Sequence, residues 1–331
     1  MPATIRDVAR AAGVSPSTVS RALAMSDLVS PGTRQRVQVA AERLGYRPNR
    51  AARGLITGKT GNLGLLVPDL ANPFFSSVVK GIQARARTLD YAVFLTDADE
   101  DPDAEAGLVR ALAKQVDGMV LCSPRMTEAD LKSVSGETTL VLVNRRVSGV
   151  SAVTFDNAGG MRQAVAHLYA LGHTRIAWVG GPRNSWSDRE RRKALRAAAN
   201  SAGIELVEVG GVSPQFEGGV AAADLVLATG VTAVVAYNDL VALGLLRRFK
   251  TRGVSVPEEI SVVGTDDILF AAMAHPDLTT VALPKEQSGR DAVDLLLSLL
   301  AHSGTEAATP PRRELATHLL VRGSTSLAPR I

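Results

Sequence analysis

From Asn62 onward the sequence alternates, almost without a break, between short runs of Val, Ile and Leu and longer stretches with helical spacing. A strand buried on both faces reads as a continuous apolar run, and two parallel strands can be joined only through a long crossover, usually a helix. The strand-like runs are LGLLVP, YAVFLTD, VDGMVLCSP, TTLVLVN, SAVTFDN, TRIAWVGG, ELVEVGG, TAVVAYND, EEISVVGTDD and TTVALPKE. Helical spacing separates them: Pro73 to Leu89, a helix opening near Pro102, Ala158 to Leu171, Arg189 to Ser201, GGVAAADLVLA, LVALGLLRRFKTRG, and a last helix ending near Leu300. These are too many strands for one sheet. Two similar doubly wound α/β halves are expected, with a cleft at the carboxyl ends of their strands. Only HSGTEAATPPRR, near residue 305, has no pattern of its own.

The first sixty residues read differently. In TIRDVARAAGVSPSTVSRAL, Ile5, Val8, Ala9 and Ala12 share one helical face, and Gly13 then permits a sharp turn. Ser15 stands where an N-cap is wanted and Pro16 at the first helical position. Val19, Ala22 and Leu23 give the second helix its inward face. Ser30 and Pro31 repeat the start signal for a third helix running to Leu44, with Val37, Ala40, Ala41 and Leu44 inward and Gly45 closing it. Helix, short turn, helix is the layout of a helix-turn-helix DNA reader, although any small bundle can show it. NRAARGLITGKTG follows as a short basic segment, too short for a helix stable alone, since isolated helices below ~12 residues are marginal. It reads as a connector that folds only when something holds it.

Charge separates the two readings of the N-terminal helices. Met1 to Thr60 carries ten Arg and Lys against three acids, net +7, whereas the whole chain is +4, leaving −3 for the remainder. A cationic head on a slightly acidic body is the asymmetry of a nucleic-acid reader. The head holds one aromatic, Tyr46, too few for stacking single strands or RNA, so duplex DNA is the expected partner. A single cysteine, Cys122, excludes an internal disulfide framework, and no run approaches the ~18 apolar residues of a membrane span. The N-terminus lacks a secretory signal pattern, so a soluble cytoplasmic protein is expected.

The N-terminal run, the NRAARGL segment, and the landmarks VPDLANPFF, DGMVLCSP, FDNAGG, LGHTRIAWVGGP, AYNDLVALG and SVVGTDD together resemble the lactose/galactose repressor family of bacterial transcription regulators. The likeness runs from about Thr4 to Ser324. It implies an all-α helix-turn-helix domain (1–48), a hinge helix and linker (49–60), and a body (61–331) like a periplasmic sugar-binding protein. That body would consist of two Rossmann-like α/β subdomains, one of about 61–160 plus 291–321, the other about 161–290 plus 322–331. The resemblance further implies a homodimer on a near-palindromic operator, with Pro16, Ser17 and Arg21 toward base edges in the major groove. Ser15, Thr18, Ser30, Thr33 and Asn49 would hydrogen-bond phosphates, or, for some hydroxyls, merely cap helices, and Thr4 belongs to the same DNA-binding set. Ala24 stands where the family often carries a polar residue, so one contact is expected to be lost. In the hinge, Ala51, Ala52 and Leu55 resemble the minor-groove helix whose leucine wedges between base steps; a core-packing leucine is the plainer alternative.

The same resemblance assembles an effector pocket. Phe74, Phe75, Phe155, Trp186 and Phe216 fall at ligand-facing positions, with Asn144, Ser187, Arg189, Arg191, Asn238 and Asp266 as the polar set. Sugars stack their C–H faces on rings while fixed polar groups hold their hydroxyls. For each polar residue a structural salt bridge is the alternative, and Cys122 reads as a buried inert thiol. A sugar, or a sugar phosphate using Arg189 and Arg191, is the expected effector. A purine or nucleoside stacked on Phe75 and Phe216, or no effector, stays open. No G-x-G-x-x-G follows a strand and no Walker loop or G-x-S-x-G elbow occurs; the five histidines lack metal-ligand spacing. An enzyme, a metal centre and a cofactor are therefore not expected. A periplasmic solute-binding protein would need a signal peptide and has no use for the basic head. The tail after Ser324 lacks heptads, which speaks against a coiled-coil tetramer.

Overall fold

A computed structural model of the chain describes residues 3–24, 29–46, 59–302 and 310–329, and it divides into two compact units, a small helical head and a large α/β body. The hinge positions Asn49, Ala51, Ala52 and Leu55 lie outside the described residues, as does the side chain of Ala24.

In the head, α1 (Ile5–Ala12), α2 (Pro16–Ala24) and α3 (Pro31–Arg43) start and stop for local reasons. Thr4 and Asp7 form a reciprocal capping box at α1. Gly13 ends α1 in the left-handed region at φ +65°, where a side chain would be strained. Ser15 Oγ accepts from Thr18 N at 3.1 Å and so caps α2 as the sequence suggests. Ser30 precedes α3 but makes no cap bond; its hydroxyl donates to Thr33 Oγ1 at 3.0 Å instead. Val8, Val19 and Val37 have no exposed surface, each contributing about 1.5–3 kcal/mol by burial. Ala9, Ala12, Ala22, Ala40 and Ala41 pack around them with Ile5, Leu23 and Leu44 half inside. The inward faces read from the sequence are the ones buried.

The body contains two six-stranded sheets with the same strand order. The first takes β1 (Asn62–Val67), β2 (Ala92–Asp97), β3 (Gly118–Cys122), β4 (Leu140–Val143), β5 (Ser151–Phe155) and β11 (Arg312–Leu315), ordered β2-β1-β3-β4-β5-β11. The second takes β6 (Arg175–Val179), β7 (Glu205–Val209), β8 (Ala233–Ala236), β9 (Ser261–Asp266), β10 (Thr279–Ala282) and β12 (His318–Leu320), ordered β7-β6-β8-β9-β10-β12. β12 runs antiparallel to β10, while β3, β4, β5, β8 and β9 pair in parallel with their neighbours, as continuous apolar runs require. Each sheet reverses its winding beside its first strand, which opens a crevice at the strands' carboxyl ends.

The crossover helices are α4 (Pro73–Thr88), α5 (Pro102–Ala113), α6 (Glu128–Glu137), α7 (Asn157–Ala170), α8 (Trp186–Ala202), α9 (Phe216–Ala228), α10 (Asp239–Thr251), the single turn α11 (Leu269–Met273) and α12 (Lys285–Ala301). Three readings change here. The sequence shows no clear signal for α6, whose face buries only Leu131 and Val134. Arg312 and Arg313 belong to a strand rather than to the unpatterned loop, because β11 completes the sheet edge beside β5. The halves also divide elsewhere than at 160, 291 and 321. α7 packs on α8, β10 and β12 in the second half, the whole of α12 packs on α4, β3, β4 and β5 in the first, and β12 joins the second sheet. The three crossovers therefore fall near Asp156, Pro284 and Ala316. Among the described residues no helix is long and apolar enough to cross a membrane.

Candidate functional site

The head offers a surface opposite its core. On α2, Pro16, Ser17 and Arg21 are exposed while Val19 and Ala22 on the other face are buried. Ser15, Ser17 and Thr18 share hydroxyl contacts of 2.8 Å at the start of that helix. Thr33 accepts from Ser30 and, at 3.4 Å, from Arg36 Nη2. Thr4 is tied to Asp7 by its Oγ1 at 2.6 Å, which holds the carboxyl below its ordinary range. Each of these hydroxyls thus has a structural task in the free head. Arg6, Arg10, Arg21, Arg36 and Arg43 stand exposed around them and supply the positive field.

In the body, backbone strain collects where the strands end. Asp99 and Glu100 after β2, Ser123 after β3, Asn144 after β4, and Asp266 and Asp267 at the end of β9 all have positive φ, from 44° to 116°. A non-glycine residue held there costs about 1–3 kcal/mol and persists only where its surroundings over-determine it, which is common at binding sites.

The second half builds a closed polar network at this edge. Arg191, on α8, is 2% exposed. Its Nε donates to Asn157 Oδ1 at 3.1 Å, Nη1 to the Tyr237 carbonyl at 2.6 Å, and Nη2 to Asp266 Oδ1 at 3.4 Å, with the Tyr237 ring 5.4 Å from the guanidinium carbon. Gly181 makes that ring's place possible, since a Cβ there would lie 2.6 Å from it. Tyr237 Oη meets Ser185 and Ser187 Oγ at 3.1 and 3.3 Å. Asn238 spends both amide atoms on protein: Oδ1 caps α10 through Val241 N, and Nδ2 donates to the Pro214 carbonyl at 2.7 Å. Beneath it Asp239 is wholly buried, accepting from Thr280 Oγ1 and Ile268 N. Burial raises the proton affinity of Asp239 and Asp266, and the nearby Asp266 charge pushes Asp239 further, while Arg191 and Lys285 oppose the rise at Asp266. Lys285 Nζ is held by the Asp266 and Asp267 carbonyls.

The first half is less complete. Phe74, Phe75 and Phe155 are buried together, with centroids 5.0 Å (Phe74–Phe75) and 6.1 Å (Phe74–Phe155) apart, edge-on. Asn72 caps α4 beneath them. Asn144 Nδ2 donates to Ser123 Oγ at 2.9 Å, but its Oδ1 is buried without a partner, as is Arg145 Nε. Gln215 Nε2 reaches Asp69 Oδ2 at 3.2 Å and bridges the two halves, next to Phe216. Trp186 begins α8 half-buried, and Arg189 is exposed one turn on. Cys122 is fully buried, and burial pushes its thiol well above the ordinary range.

Of the residues expected in the pocket, the structure brings Arg191, Ser187 and Asp266 into one network. Asn238 is next to Tyr237 in sequence but bonded to Val241 N and the Pro214 carbonyl. It places Phe74, Phe75 and Phe155 in one cluster. Sequence reasoning passed over Asn157, Tyr237, Lys285 and, above all, Arg145. The signal for Arg145 was present: it follows Asn144 directly after β4.

Two family models match the chain: that of the bacterial regulatory proteins of the lacI family over residues 4–49, and a periplasmic binding protein-like domain over residues 165–325. The HTH-type transcriptional regulator CelR of Thermobifida fusca is 37% identical over 97% of this chain and 98% of its own length. The chain belongs to the lacI family of bacterial regulatory proteins. Among solved structures, this lacI-family member matches the lac repressor dimer bound to operator and the anti-inducer ONPF with TM-score 0.85 and 30% identity, over 98% of this chain and all of that one. It matches a complex of the regulator CelR with cellobiose with TM-score 0.70 and 34% identity, over 97% and 99% of the two chains. The protein is a helix-turn-helix transcriptional regulator of the lacI family.

Proposed function

We propose that the protein is a repressor that grips a near-palindromic operator as a homodimer and is controlled by a small sugar-like effector at the carboxyl ends of its strands. It acts as a regulator rather than a catalyst, in the cytoplasm where the DNA is. One observation carries the reading: on α2 an exposed Pro16–Ser17–Arg21 face is fixed by a fully buried opposite face. Arg21 offers a guanidinium fork to guanine O6 and N7, while the hydroxyls of Ser15, Thr18, Ser30 and Thr33 approach phosphates without reading sequence. Asn49, Ala52 and Leu55 would complete the grip at the operator centre. The operator-bound dimer of the lac repressor supports the dimer and the DNA partner, and the cellobiose complex of CelR supports a sugar.

In the body, Phe74, Phe75, Phe155, Trp186 and Phe216 would present rings, and Asn144, Ser187, Arg189, Arg191, Asn238 and Asp266 polar groups, to the effector. Effector binding would shift the two halves and, through the linker, operator affinity; a coupling of about 1–3 kcal/mol changes affinity from several-fold to over a hundredfold. Gel-shift titration at fixed salt tests the reading. The wild type should prefer a palindromic operator over random duplex, and Arg21→Ala should lose about 1–3 kcal/mol on the operator alone. Equal affinity for operator and random DNA would end it.

A further inference from the structure

Two carboxylates have no exposed surface among the described residues: Asp239 in the second half and Glu105 in the first. Glu105 lies on α5, whose N-terminus is capped by Asp101 and needs nothing from it. Its oxygens turn instead to the loop after β3. Both accept from Arg125 N, at 2.8 Å each, and Oε2 also accepts from Met126 N at 2.7 Å. These amides lie outside any strand or helix, and a carboxylate gives such buried donors strong, charge-assisted partners. Burial raises the Glu105 pKa, while the two amides and the charges of Arg125 and Arg145 oppose the rise.

The tethered loop carries the edge of the first half. Ser123, strained at φ 44°, accepts from Asn144 Nδ2 at 2.9 Å. The Pro124 carbonyl accepts from Arg145 Nη1 at 2.5 Å. Arg125 binds Glu100 through bonds of 2.8 and 3.0 Å. Burial alone would lower the Arg125 pKa, but Tyr237 of the second half and Glu100 raise it. Residues 123–126 thus hold Asn144, Arg145 and Glu100 in place and turn one guanidinium toward the ring at the centre of the opposite network. A strained residue such as Ser123 persists only where its surroundings over-determine it, and Glu105 supplies bonds that do so.

We infer that Glu105 is a positioning residue of the effector site: without touching the ligand, it fixes the 123–126 loop and so the directions in which Asn144, Arg145 and Arg125 are presented. This rests on the effector site proposed above and holds whatever the charge of the effector. A side chain buried behind a site acts on binding through the geometry of the groups in front of it, and small misplacements there are costly.

The test compares the full-length wild type with Glu105→Ala, Glu105→Gln and Val109→Ala. Val109, fully buried one turn further along α5, controls for plain loss of core packing. Glutamine keeps one acceptor oxygen and sets an N–H against the loop in place of the other, so it should fall between wild type and alanine. If alanine prevents folding, glutamine carries the comparison. Native-state hydrogen exchange of the 119–127 segment, measured relative to 261–266 in the second half, should be about tenfold or more faster in Glu105→Ala, since local opening follows lost local bonds. Val109→Ala should leave that ratio near the wild-type value. Calorimetry with cellobiose and ribose as probes is the second readout: a sugar that binds the wild type should bind Glu105→Ala about tenfold or more weakly, and Val109→Ala as it binds the wild type. Loop exchange no faster in Glu105→Ala than in Val109→Ala, or a probe bound equally by wild type and Glu105→Ala, overturns the inference. If neither probe binds the wild type, the sugar in the effector reading is what fails, and the exchange ratio alone decides the role of Glu105.

Discussion

The two halves of the body share one strand order and differ in how their crevice edges are finished. In the second half the polar side chains at the edge are engaged, though Trp178 Nε1 near the end of β6 has no partner: Arg191 is divided among Asn157, Tyr237 and Asp266, and Asn238 closes a helix and a loop at once. In the first half Asn144 and Arg145 each hold an atom with no partner. Topology was thus repeated without its chemistry. A closed network stores its stabilisation in the free protein, whereas an open one leaves it to be gained on binding.

This contrast can be broken most sharply at its two cations. Arg191→Met should cost about 3–5 kcal/mol of unfolding free energy, because Asp266 would stay buried without its ion-pair partner and Asn157 Oδ1 and the Tyr237 carbonyl would lose their donor. Urea denaturation measures it, and a loss below about 1 kcal/mol would show that the network is not closed in the sense argued. Asn238→Ala should cost less, about 1–2 kcal/mol, from a lost helix cap and a lost tether to Pro214.

Acid should sharpen the comparison by acting on the second half. His173 is buried against Thr232, Ser261 and the Ser326 carbonyl, and His167 meets Thr325; burial lowers both pKa values from 6.5. The unfolded chain therefore binds protons before the folded one does. The histidine contribution is full above the unfolded value and declines as pH falls from there toward the folded values, by at most about 1.4 kcal/mol per pH unit per histidine. Asp239 and Asp266, which bind protons more readily folded than unfolded, contribute in the opposite sense, so the histidine effect is read as the difference between wild type and His173→Gln. Hydrogen exchange at pH 5 should show α7 and the 324–328 segment opening first, and His173→Gln should flatten the trend. The smallest effect is expected at Arg145→Met: a loss of about 1 kcal/mol or less, because Arg145 forms no ion pair among the described residues and gives up one hydrogen bond, to the Pro124 carbonyl. A loss as large as that of Arg191→Met would erase the difference between the halves.

Some of this was plain in the sequence. Val8, Ala9, Ala12, Val19, Ala22, Val37, Ala40 and Ala41 are buried as their spacing requires, since in a helix the period alone decides which side chains share a face. α8 begins three residues before the expected Arg189 because Ser185 caps it through Asp188 N, a signal hidden behind Trp186. The α6 helix was missed for want of an apolar stripe, and β11 because its burial is slight and its partner, β5, is far away in sequence. Pocket residues were named one at a time, but Arg191 proved to be tied to Asn157, Tyr237 and Asp266, which no spacing reveals.

What the chain settles by itself is local: a cationic three-helix head, strands that must be covered on both sides, and the caps that start each helix, all governed by neighbours a few positions away. Pairing belongs to the fold. Whether a buried arginine forms an ion pair with a carboxylate, as Arg191 does, or is only attracted by one, as Arg145 is by Glu105, depends on groups brought from tens of positions away, and a charge's cost is set by the medium around it.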